Sequence, residues 1–385
     1  MSKLDELLAE LCPNGVEFRR VDEICDISRG KVMSKDFIQA NEGEYPVYSS
    51  QTENDGELGR ISSYAYNGEY LTWTTDGANA GSIFYRKGKF SITNVCGLLK
   101  VNTDDVITRF IFHTLQVEAP KYVNKGMGNP KLMSNVMARI KLAVPPLEVQ
   151  REIVRILDNF TGLTAELTAE LTARKKQYEY YRNELLTFDI SIPFVQLSEL
   201  CDIGDGLHGT PKYNDDGEYY FINGNNLSNG RIVFDSKTKR ISNDEYERIK
   251  IPFGETLLYS INGTIGNIAL YNNENIVLGK SAAYFTITSD KLLLKYLFYI
   301  LQSKQTMSYF EKNLTGSTIK NLGLKTLRDY KIALPSLDVQ KRLVNVLDNF
   351  DAICSDLNIG LPAEIEARKK QYEFYRDKLL SFKQL

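Results

Sequence analysis

The segment "VPPLEVQREIVRILDNF" at 144–160 returns almost unchanged as "LPSLDVQKRLVNVLDNF" at 334–350, an offset of 190 residues. A second block, "ARKKQYEYYRNELL" at 173–186, returns as "ARKKQYEFYRDKLL" at 367–380 with an offset of 194. The first copy therefore carries four extra residues between the blocks, the length of one unit in the doublet "TAELTAEL" at 164–171. An internal repeat on this scale governs the whole fold prediction.

The repeat extends beyond these blocks. "FRRVDEICDISRG" from Phe18 resembles "FVQLSELCDIGDG" from Phe194, which aligns Cys25 with Cys201, and "TDGANAGSIFY" at 75–85 parallels "INGTIGNIALY" at 261–271. The opening "KLDELLAEL" also resembles the helix end "RNELLTF". We therefore predict two copies of one unit, circularly permuted so that a helix end starts the chain and giving a pseudo-two-fold internal repeat.

The repeated blocks carry apolar stripes with spacings of three, four and seven residues, which predict long helices that pair as a coiled coil. About 40 residues at 1.5 Å each give a rod of roughly 60 Å. In the second copy, "NIGLPAE" at 358–364 interrupts the helix, and Pro362 fits the first turn of a restarted helix. The two stripes are Ile153, Leu157, Phe160, Leu167, Leu171, Tyr178 and Leu185, and Leu343, Leu347, Phe350, Leu357, Leu361, Tyr372, Tyr375 and Leu379.

Between the helices, runs such as "EYLTWTT", "GSIFY", "ETLLYSI" and "AAYFTIT" predict strands, and "ITRFIFHTLQ" and "KLLLKYLFYILQ" predict shorter helices. The predicted fold class is α+β, with two α+β domains joined by two long antiparallel coiled-coil helices. The predicted segments are a terminal helix at 1–17, a first domain at 18–145, a central helix at 146–188, a second domain at 189–335 and a distal helix at 336–385.

Composition narrows the class of protein. The chain has 385 residues, a net charge of −2 and no apolar run long enough for a signal peptide or a membrane span. Its five cysteines are scattered and predict buried, reduced thiols in a cytoplasmic protein. We expect no metal site, since the only histidines are His113 and His208, and His113 lies on an apolar helix as a packing residue.

Enzyme signatures are weak. "GDGLHG" at 204–209 matches the glycine pattern of a dinucleotide site, but "TPKYNDDGEYY" follows it where a helix would have to begin, so a turn or binding loop is favoured. "LGKS" at 278–281 lacks the earlier glycine of a phosphate loop. No catalytic constellation assembles, which favours a binding function and predicts no catalytic residues.

Basic side chains gather in stretches without acidic residues, most clearly at 119–147 and in the matching part of the second copy. Such runs beside Gly-, Asn- and Thr-rich loops suit phosphate contacts, with amide and hydroxyl groups left for base edges. A solvated protein surface is the alternative for any single run.

At this point the residues resemble a known family, the DNA-specificity subunits of type I restriction-modification enzymes. The resemblance covers essentially the whole chain. The helical blocks, together with "GLPAEIEARKKQYEFYRDKLL", resemble the family's central and distal conserved regions. "DGLHGTPKY", "INGTIGNIALY" and "GSTIKNLGLKTLRDYKIALPSL" resemble its target-recognition domains, while "GMGNPKLMSNVMARIKLAVPPL" in the first domain departs from that pattern.

The resemblance implies a non-catalytic subunit that recognises a split, asymmetric target in double-stranded DNA, one half per domain, through the major groove. Two methyltransferase subunits would dock on the helices and bring S-adenosylmethionine for adenine methylation. Motor-nuclease subunits would add ATP- and Mg-dependent cleavage in defence against phage. No cofactor is expected in this chain and no membrane partner.

Loop residues are the candidates for DNA contact, and helix residues are the candidates for partner binding. A lone tryptophan is more often a core residue, which is the alternative for Trp73. The DNA candidates are Trp73, Thr75, Asn79, Lys125, Asn129 and Lys131 in the first domain, and His208, Thr210, Lys212, Asn262, Thr264, Ser317, Thr318, Lys320 and Asn321 in the second. The partner candidates are Tyr178, Tyr181, Leu185, Tyr372, Tyr375 and Leu379.

The TAEL doublet suggests a spacing device. Four residues add about 6 Å and about 400° of helix, whereas one base pair adds about 3.4 Å of DNA. Each unit would keep the helix seam nearly in phase while changing the separation of the two domains by one or two base pairs. Two other classes of function stay open from the sequence, a free-standing DNA-binding regulator and a coiled-coil adaptor protein.

Overall fold

The structure is a computed structural model that describes residues 3–126, 128–251, 254–355 and 359–385. Its contacts divide the chain into two compact units, one formed by 1–166 with 365–385 and the other by 167–364. The division falls inside the TAEL doublet, between Glu166 and Leu167. In the described part of the chain, no helix has the length and apolar character needed to span a membrane.

The first unit centres on a six-stranded sheet in the order β2-β7-β5-β6-β3-β4, and β1 pairs separately with β8. Strand β5 lies between β6 and β7, antiparallel to both, and its residues 71–74 are fully buried. The run "YLTWT" therefore forms a central strand, as its β-branched and aromatic content predicts. The strands are β1 Glu17–Arg20, β2 Cys25–Arg29, β3 Glu42–Tyr48, β4 Glu57–Ile61, β5 Tyr66–Thr74, β6 Ile83–Ile92, β7 Cys96–Val101 and β8 Lys141–Val144.

Helices cover this sheet and close its core. Helix α4 packs Phe110, Ile111 and Leu115 into a cluster with Trp73 of β5 and Leu157 of α6. Tyr372 and Leu379, from the last helix, pack on the same cluster. The helices are α1 Lys3–Leu11, α2 Val21–Ile24, α3 Lys35–Ala40, α4 Thr108–Glu118, α5 Ser134–Met137 and the first part of α6, which spans Leu147–Leu185.

The second unit contains a four-stranded sheet, β10-β18-β15-β16, and a three-stranded sheet, β14-β11-β17, with the short pairs β12-β13 and β19-β9 beside them. Helix α8 buries Tyr296 to Leu301 against the four-stranded sheet and α11. The strands are β9 Phe194–Gln196, β10 Cys201–Asp205, β11 Tyr219–Ile222, β12 Leu227–Ser228, β13 Arg231–Ile232, β14 Lys239–Ile241, β15 Thr256–Ser260, β16 Ile268–Leu270, β17 Ile276–Leu278, β18 Ala282–Ile287 and β19 Lys331–Ala333.

The long helices follow the predicted periodicity. Helix α6 runs unbroken for 39 residues, and every residue of its predicted apolar stripe is buried or half-buried. In the second copy one helix ends at Ser355 and another begins at Leu361, which confirms Pro362 in a first turn. Leu357 and Asn358 lie outside the described residues. The helices are α7 Asn243–Ile249, α8 Leu294–Leu301, α9 Lys304–Lys312, α10 Leu324–Asp329, α11 Leu337–Ser355 and α12 Leu361–Leu379.

Candidate nucleic-acid interface

Three loop segments of the first unit meet in a small backbone ladder at 75–77, 124 and 130–132, which we call the first clip. Gly77 N donates to Pro130 O at 3.0 Å, and Leu132 N donates to Thr75 O at 2.9 Å. On the other side, Asn124 and Lys131 exchange hydrogen bonds of 2.9 and 3.0 Å. The clip therefore holds the loops that carry Asn79, Lys125, Asn129 and Lys131 at one edge of the domain.

The second unit builds the same ladder from 261–263, 315 and 320–322, which we call the second clip. Gly263 N donates to Lys320 O at 3.0 Å, and Leu322 N donates to Ile261 O at 2.8 Å. Thr315 and Asn321 exchange two hydrogen bonds of 2.9 Å. Each donor and acceptor thus has its counterpart in the first clip, although the sequences "NKGMGNPKL" and "TGSTIKNL" differ.

A glycine in the left-handed region turns the chain at the same place in both clips. Gly77 has φ 94° and Gly263 has φ 73°, and an added Cβ at either position would meet nothing within 4 Å. The glycine is therefore required by backbone conformation rather than by internal packing.

The clips bring together most of the predicted contact residues. Lys125, Asn129 and Lys131 are exposed around the first clip. Asn129 and Lys131 border a half-open cleft of about 390 Å³ that Asp76, Asn124 and two glycines also line. Around the second clip, the exposed or half-buried predicted residues are Asn262, Thr264, Ser317, Thr318, Lys320 and Asn321.

Two predicted residues support the first clip from inside. Trp73 and Thr75 have 0% exposure. Trp73 Nε1 donates to Leu132 O at 2.9 Å, and Thr75 Oγ1 donates to Val95 O at 2.9 Å. Direct contact of these two side chains with a ligand is therefore corrected to a supporting role, because burial leaves neither a free surface. Asn79 is exposed and donates through Nδ2 to Thr52 Oγ1 at 3.0 Å.

The loop after β10 carries His208, Thr210 and Lys212, all of them exposed. His208 Nε2 lies 2.7 Å from Asp205 Oδ2, and the backbone amide of Lys212 donates to Glu245 Oε1 at 3.1 Å. Arg248 first, and then this Lys212 amide, hold the pKa of Glu245 below its usual range. The Glu245 carboxylate that holds this loop is therefore ionised near neutral pH. In the described residues no helix begins directly after the "GDGLHG" segment, because the next element along the chain is strand β11.

Sequence reasoning missed Arg29 and Asp76. Arg29 is exposed on β2 and donates through Nη2 to Thr75 Oγ1 at 2.7 Å, which places a cation beside the first clip. Its counterpart in the aligned "CDIGDG" segment is Asp205. Asp76 faces Lys131 across the clip. The signal for Arg29 was the change of charge between aligned copies, whereas Asp76 emerges only from the loop pairing.

The units also share an anchor between each domain and its long helix. Gln150 Oε1 accepts from Ile107 N at 2.9 Å, and Nε2 donates to Asp105 O and Pro145 O at 2.8 and 2.7 Å. Gln340 makes the equivalent bonds to Leu293 N, Lys291 O and Pro335 O at 2.9, 2.8 and 2.9 Å. Both glutamines have 0% exposure, so each domain is fixed to the start of its helix by a buried side chain.

A carboxylate about two turns further along each helix adds a second contact. Asp158 Oδ1 accepts from Arg109 Nε and lies 2.9 Å from His113 Nε2. In the other unit, Asp348 Oδ1 accepts from Lys295 Nζ at 2.8 Å and from the Tyr299 hydroxyl. His113 is fully buried, as predicted for a packing residue, within this polar network.

The predicted partner-binding residues divide by exposure. Tyr178, Leu185, Tyr372 and Leu379 are buried or half-buried, whereas Tyr181 and Tyr375 are each 40% exposed. Beside the exposed pair, Tyr180 and Phe374 are 60% and 63% exposed. Tyr180 with Tyr181, and Phe374 with Tyr375, form edge-to-face pairs of the same geometry, with ring centroids 5.4 Å apart in both.

The described residues contain no group of three or more His, Cys, Asp or Glu side chains placed to hold a metal ion. The five cysteines are free thiols, and all but Cys12 are buried. Burial raises the pKa of Cys25 and of Cys201 to about 12, with a smaller contribution from the neighbouring aspartates. These thiols are therefore unsuited to nucleophilic chemistry.

Comparison with known proteins also divides the chain into two similar domains. Two stretches, 13–174 and 192–367, match the family model described as the type I restriction modification DNA specificity domain. A putative type I specificity subunit of Mycoplasma pneumoniae is 36% identical over 375 residues, which are 94% of this chain and 97% of that protein.

Solved structures show a similar fold. The crystal structure of a type I restriction-modification S subunit from M. genitalium matches with a TM-score of 0.56 and 14% identity, over 96% of this chain and 97% of that one. A structure from work on complex assembly and conformational transition of the type I R-M system matches with a TM-score of 0.64 and 17% identity, over 96% of this chain and 98% of that one. With its two matched domains and its full-length relative, the chain belongs to the family of type I restriction-modification specificity subunits.

Proposed function

We propose that this chain recognises the DNA target of a type I restriction-modification enzyme, and that the target is split and asymmetric, with one half for each domain. The observation that supports this most directly is the pair of clips, which present uncommitted polar and basic side chains on the same rigid backbone ladder in each unit. Backbone amides and cations would position the DNA, and the polar side chains would contact base edges in the major groove.

The proposed target-recognition domains are 18–145 and 189–335, and the proposed helical segments are 146–188 and 336–385, with 1–17 completing the repeat. We propose that the long helices run antiparallel as a coiled coil. Contacts within the second unit support this, because Tyr178 stacks on Phe350 with centroids 6.4 Å apart, while Lys175, earlier on α6, lies near Cys354, later on α11.

Catalysis would come from partners. Two methyltransferase subunits would dock on the helices and methylate adenine with S-adenosylmethionine, and motor-nuclease subunits would cleave DNA with ATP and Mg. The chain itself would be non-catalytic and would act in the cytoplasm, where the genome lies. Family membership favours this function over a free-standing regulator or an adaptor protein.

Methylation mapping tests the proposal. The chain is expressed with the methyltransferase of its own system in a host that lacks both, and adenine methylation is mapped across the host genome. We expect one split motif whose methylation requires both proteins. A methylation pattern that is the same without this chain would contradict the proposal, as would tight binding of the purified chain to a DNA sequence absent from the methylated motif.

The length of α6 would set the spacing between the halves of the motif. The doublet at 164–171 lies within an unbroken helix, which supports the proposal that each TAEL unit adds about 6 Å of rod. We propose that the number of TAEL units fixes the number of unspecified base pairs in the target.

A further inference from the structure

The two central residues of each clip face each other as a narrow antiparallel pair. In the first clip, Asp76 lies opposite Lys131, and the hydrogen bonds are made by their neighbours at 75, 77, 130 and 132. Asn262 and Asn321 have the same relation in the second clip. In such a non-hydrogen-bonded pair the Cα atoms are about 4.5 Å apart and both side chains leave the ladder on the same side.

These four side chains are polar and uncommitted. In the part of the chain that the structure describes, none of the four side chains takes part in a hydrogen bond or an ion pair with another residue. Lys131 is exposed, and Asp76, Asn262 and Asn321 are half-buried. Their backbones are fixed while their functional groups are free, which is the arrangement of a preorganised binding site.

The backbone is shared, but the chemistry of the facing residues differs between the units. The first clip presents an anion with a cation, and the second presents two amides. A difference confined to the facing side chains, on a scaffold that is otherwise repeated, is what selectivity between ligands of one class requires.

Base-pair edges provide matching groups. Guanine offers two adjacent acceptors, O6 and N7, which suit a lysine, and its partner cytosine offers an N4 donor, which suits a carboxylate. Adenine offers an acceptor beside a donor, N7 and N6, and an asparagine amide pairs with both. Side chains about 5 Å apart can reach one base pair or the step beside it, since the rise per base pair is about 3.4 Å.

We propose that Asp76 and Lys131 contact a G·C base pair in one half of the target, and that Asn262 and Asn321 contact an A·T base pair in the other half. This inference rests on the proposed function. Asp76 would add selectivity rather than affinity, because a carboxylate near DNA is repelled by phosphates unless cytosine N4 donates to it.

Exchange of the facing residues tests the proposal. The double variant Asp76→Asn/Lys131→Asn gives the first clip the side chains of the second, and Asn262→Asp/Asn321→Lys does the reverse. Each variant is expressed with the cognate methyltransferase, and the methylated motif is mapped. We expect one G·C position to become A·T, or to lose its preference, in one half-site only, and the reverse variant to alter one A·T position in the other half-site only.

Binding measurements test the same proposal for variants whose methylation is too weak to map. The methyltransferase complex is titrated with duplexes that carry the mapped target with single base-pair replacements. The wild-type complex should lose about 10-fold to 100-fold in affinity at the assigned position. The Asp76→Asn/Lys131→Asn complex should bind the original and the replaced duplex within about 3-fold of each other.

The control exchanges an ion pair elsewhere in the same unit, Glu57→Asn/Arg60→Asn, which also leaves net charge unchanged. This control should keep the wild-type motif. A clip variant that keeps the wild-type motif and the wild-type discrimination at every position would overturn the inference while leaving the proposed function intact. Failure of the wild-type chain to direct a split motif would instead overturn the proposed function.

Discussion

His113 is a buried imidazole in a polar network, and its surroundings shift its pKa. Burial lowers the pKa of His113, and the Asp158 carboxylate offsets this only in part, while Arg109 and Arg376 add to the lowering. Below the ordinary histidine pKa of about 6.5 the unfolded chain therefore binds more protons than the folded chain. The contribution of His113 to stability is complete above that pH and is lost as the pH falls toward the folded pKa.

The residue of the second copy that aligns with His113 is Tyr299, whose hydroxyl donates to Asp348 and does not titrate near neutral pH. His113→Tyr is therefore the matched variant. We expect the free energy of unfolding of the wild-type chain to fall between about pH 7.5 and pH 5.5, and that of His113→Tyr to fall less. Urea unfolding at both pH values measures this. An equal loss in the two proteins would show that His113 does not carry the pH dependence.

Glycines at two kinds of position give opposite expectations for the same substitution. A Cβ at Gly77 and a Cβ at Gly162 would both enter open space, but Gly77 has φ 94° and Gly162 lies within helix α6. Gly77→Ala should lower the free energy of unfolding by about 1 kcal/mol or more through backbone strain, whereas Gly162→Ala should raise it by about 0.5–1 kcal/mol. Thermal melts of the two variants decide this, and a rise for Gly77→Ala would refute the strain argument.

At the scale of elements, the glutamine anchors join a loop to a helix start. Gln150→Ala leaves the part-buried Ile107 amide and two carbonyls without their partners, which should cost about 2–3 kcal/mol, and Gln340→Ala should do the same in its own unit. Hydrogen exchange can assign the effect, since only the Ile107 amide should exchange faster in the first variant and only the Leu293 amide in the second. Unchanged exchange at both amides would refute the anchor role.

Some of these elements can be predicted from the sequence, and others cannot. Helix α6 and the break near Pro362 followed from periodicity and proline chemistry, because these signals are local. The clips did not follow, since half of their hydrogen bonds join backbone groups between 53 and 61 residues apart and leave no pattern in side-chain type. For the same reason the sequence predicts contact for Trp73 and Thr75, although strand β5 and the residue after it bury both side chains.

At the scale of the whole molecule, the exposed aromatic pairs bear on assembly with partners. Tyr180 and Phe374 are aligned in the two copies and are the most exposed aromatic residues of the "YEYYR" and "YEFYR" segments. If each pair contacts one methyltransferase subunit, Tyr180→Ser and Phe374→Ser should each weaken binding of one copy, and the double variant should weaken both. Mass measurements of the assembled complex count the copies, and two tightly bound copies on the double variant would contradict this assignment.

Spacer length is the property in which the whole chain acts together. Deletion of 168–171 removes one TAEL unit from α6, shortens the helix by about 6 Å and rotates its two parts by about 40° beyond one full turn. We expect the methylated motif to keep both half-sites and to lose one or two base pairs of spacer, since the facing residues of the clips are untouched. A variant that keeps four residues there but changes their identity, with Thr168→Ser and Glu170→Gln, should keep the wild-type spacer. An unchanged spacer after the deletion would mean that the length of α6 does not set the distance, because a rigid rod shortened by about 6 Å cannot span the same number of base pairs.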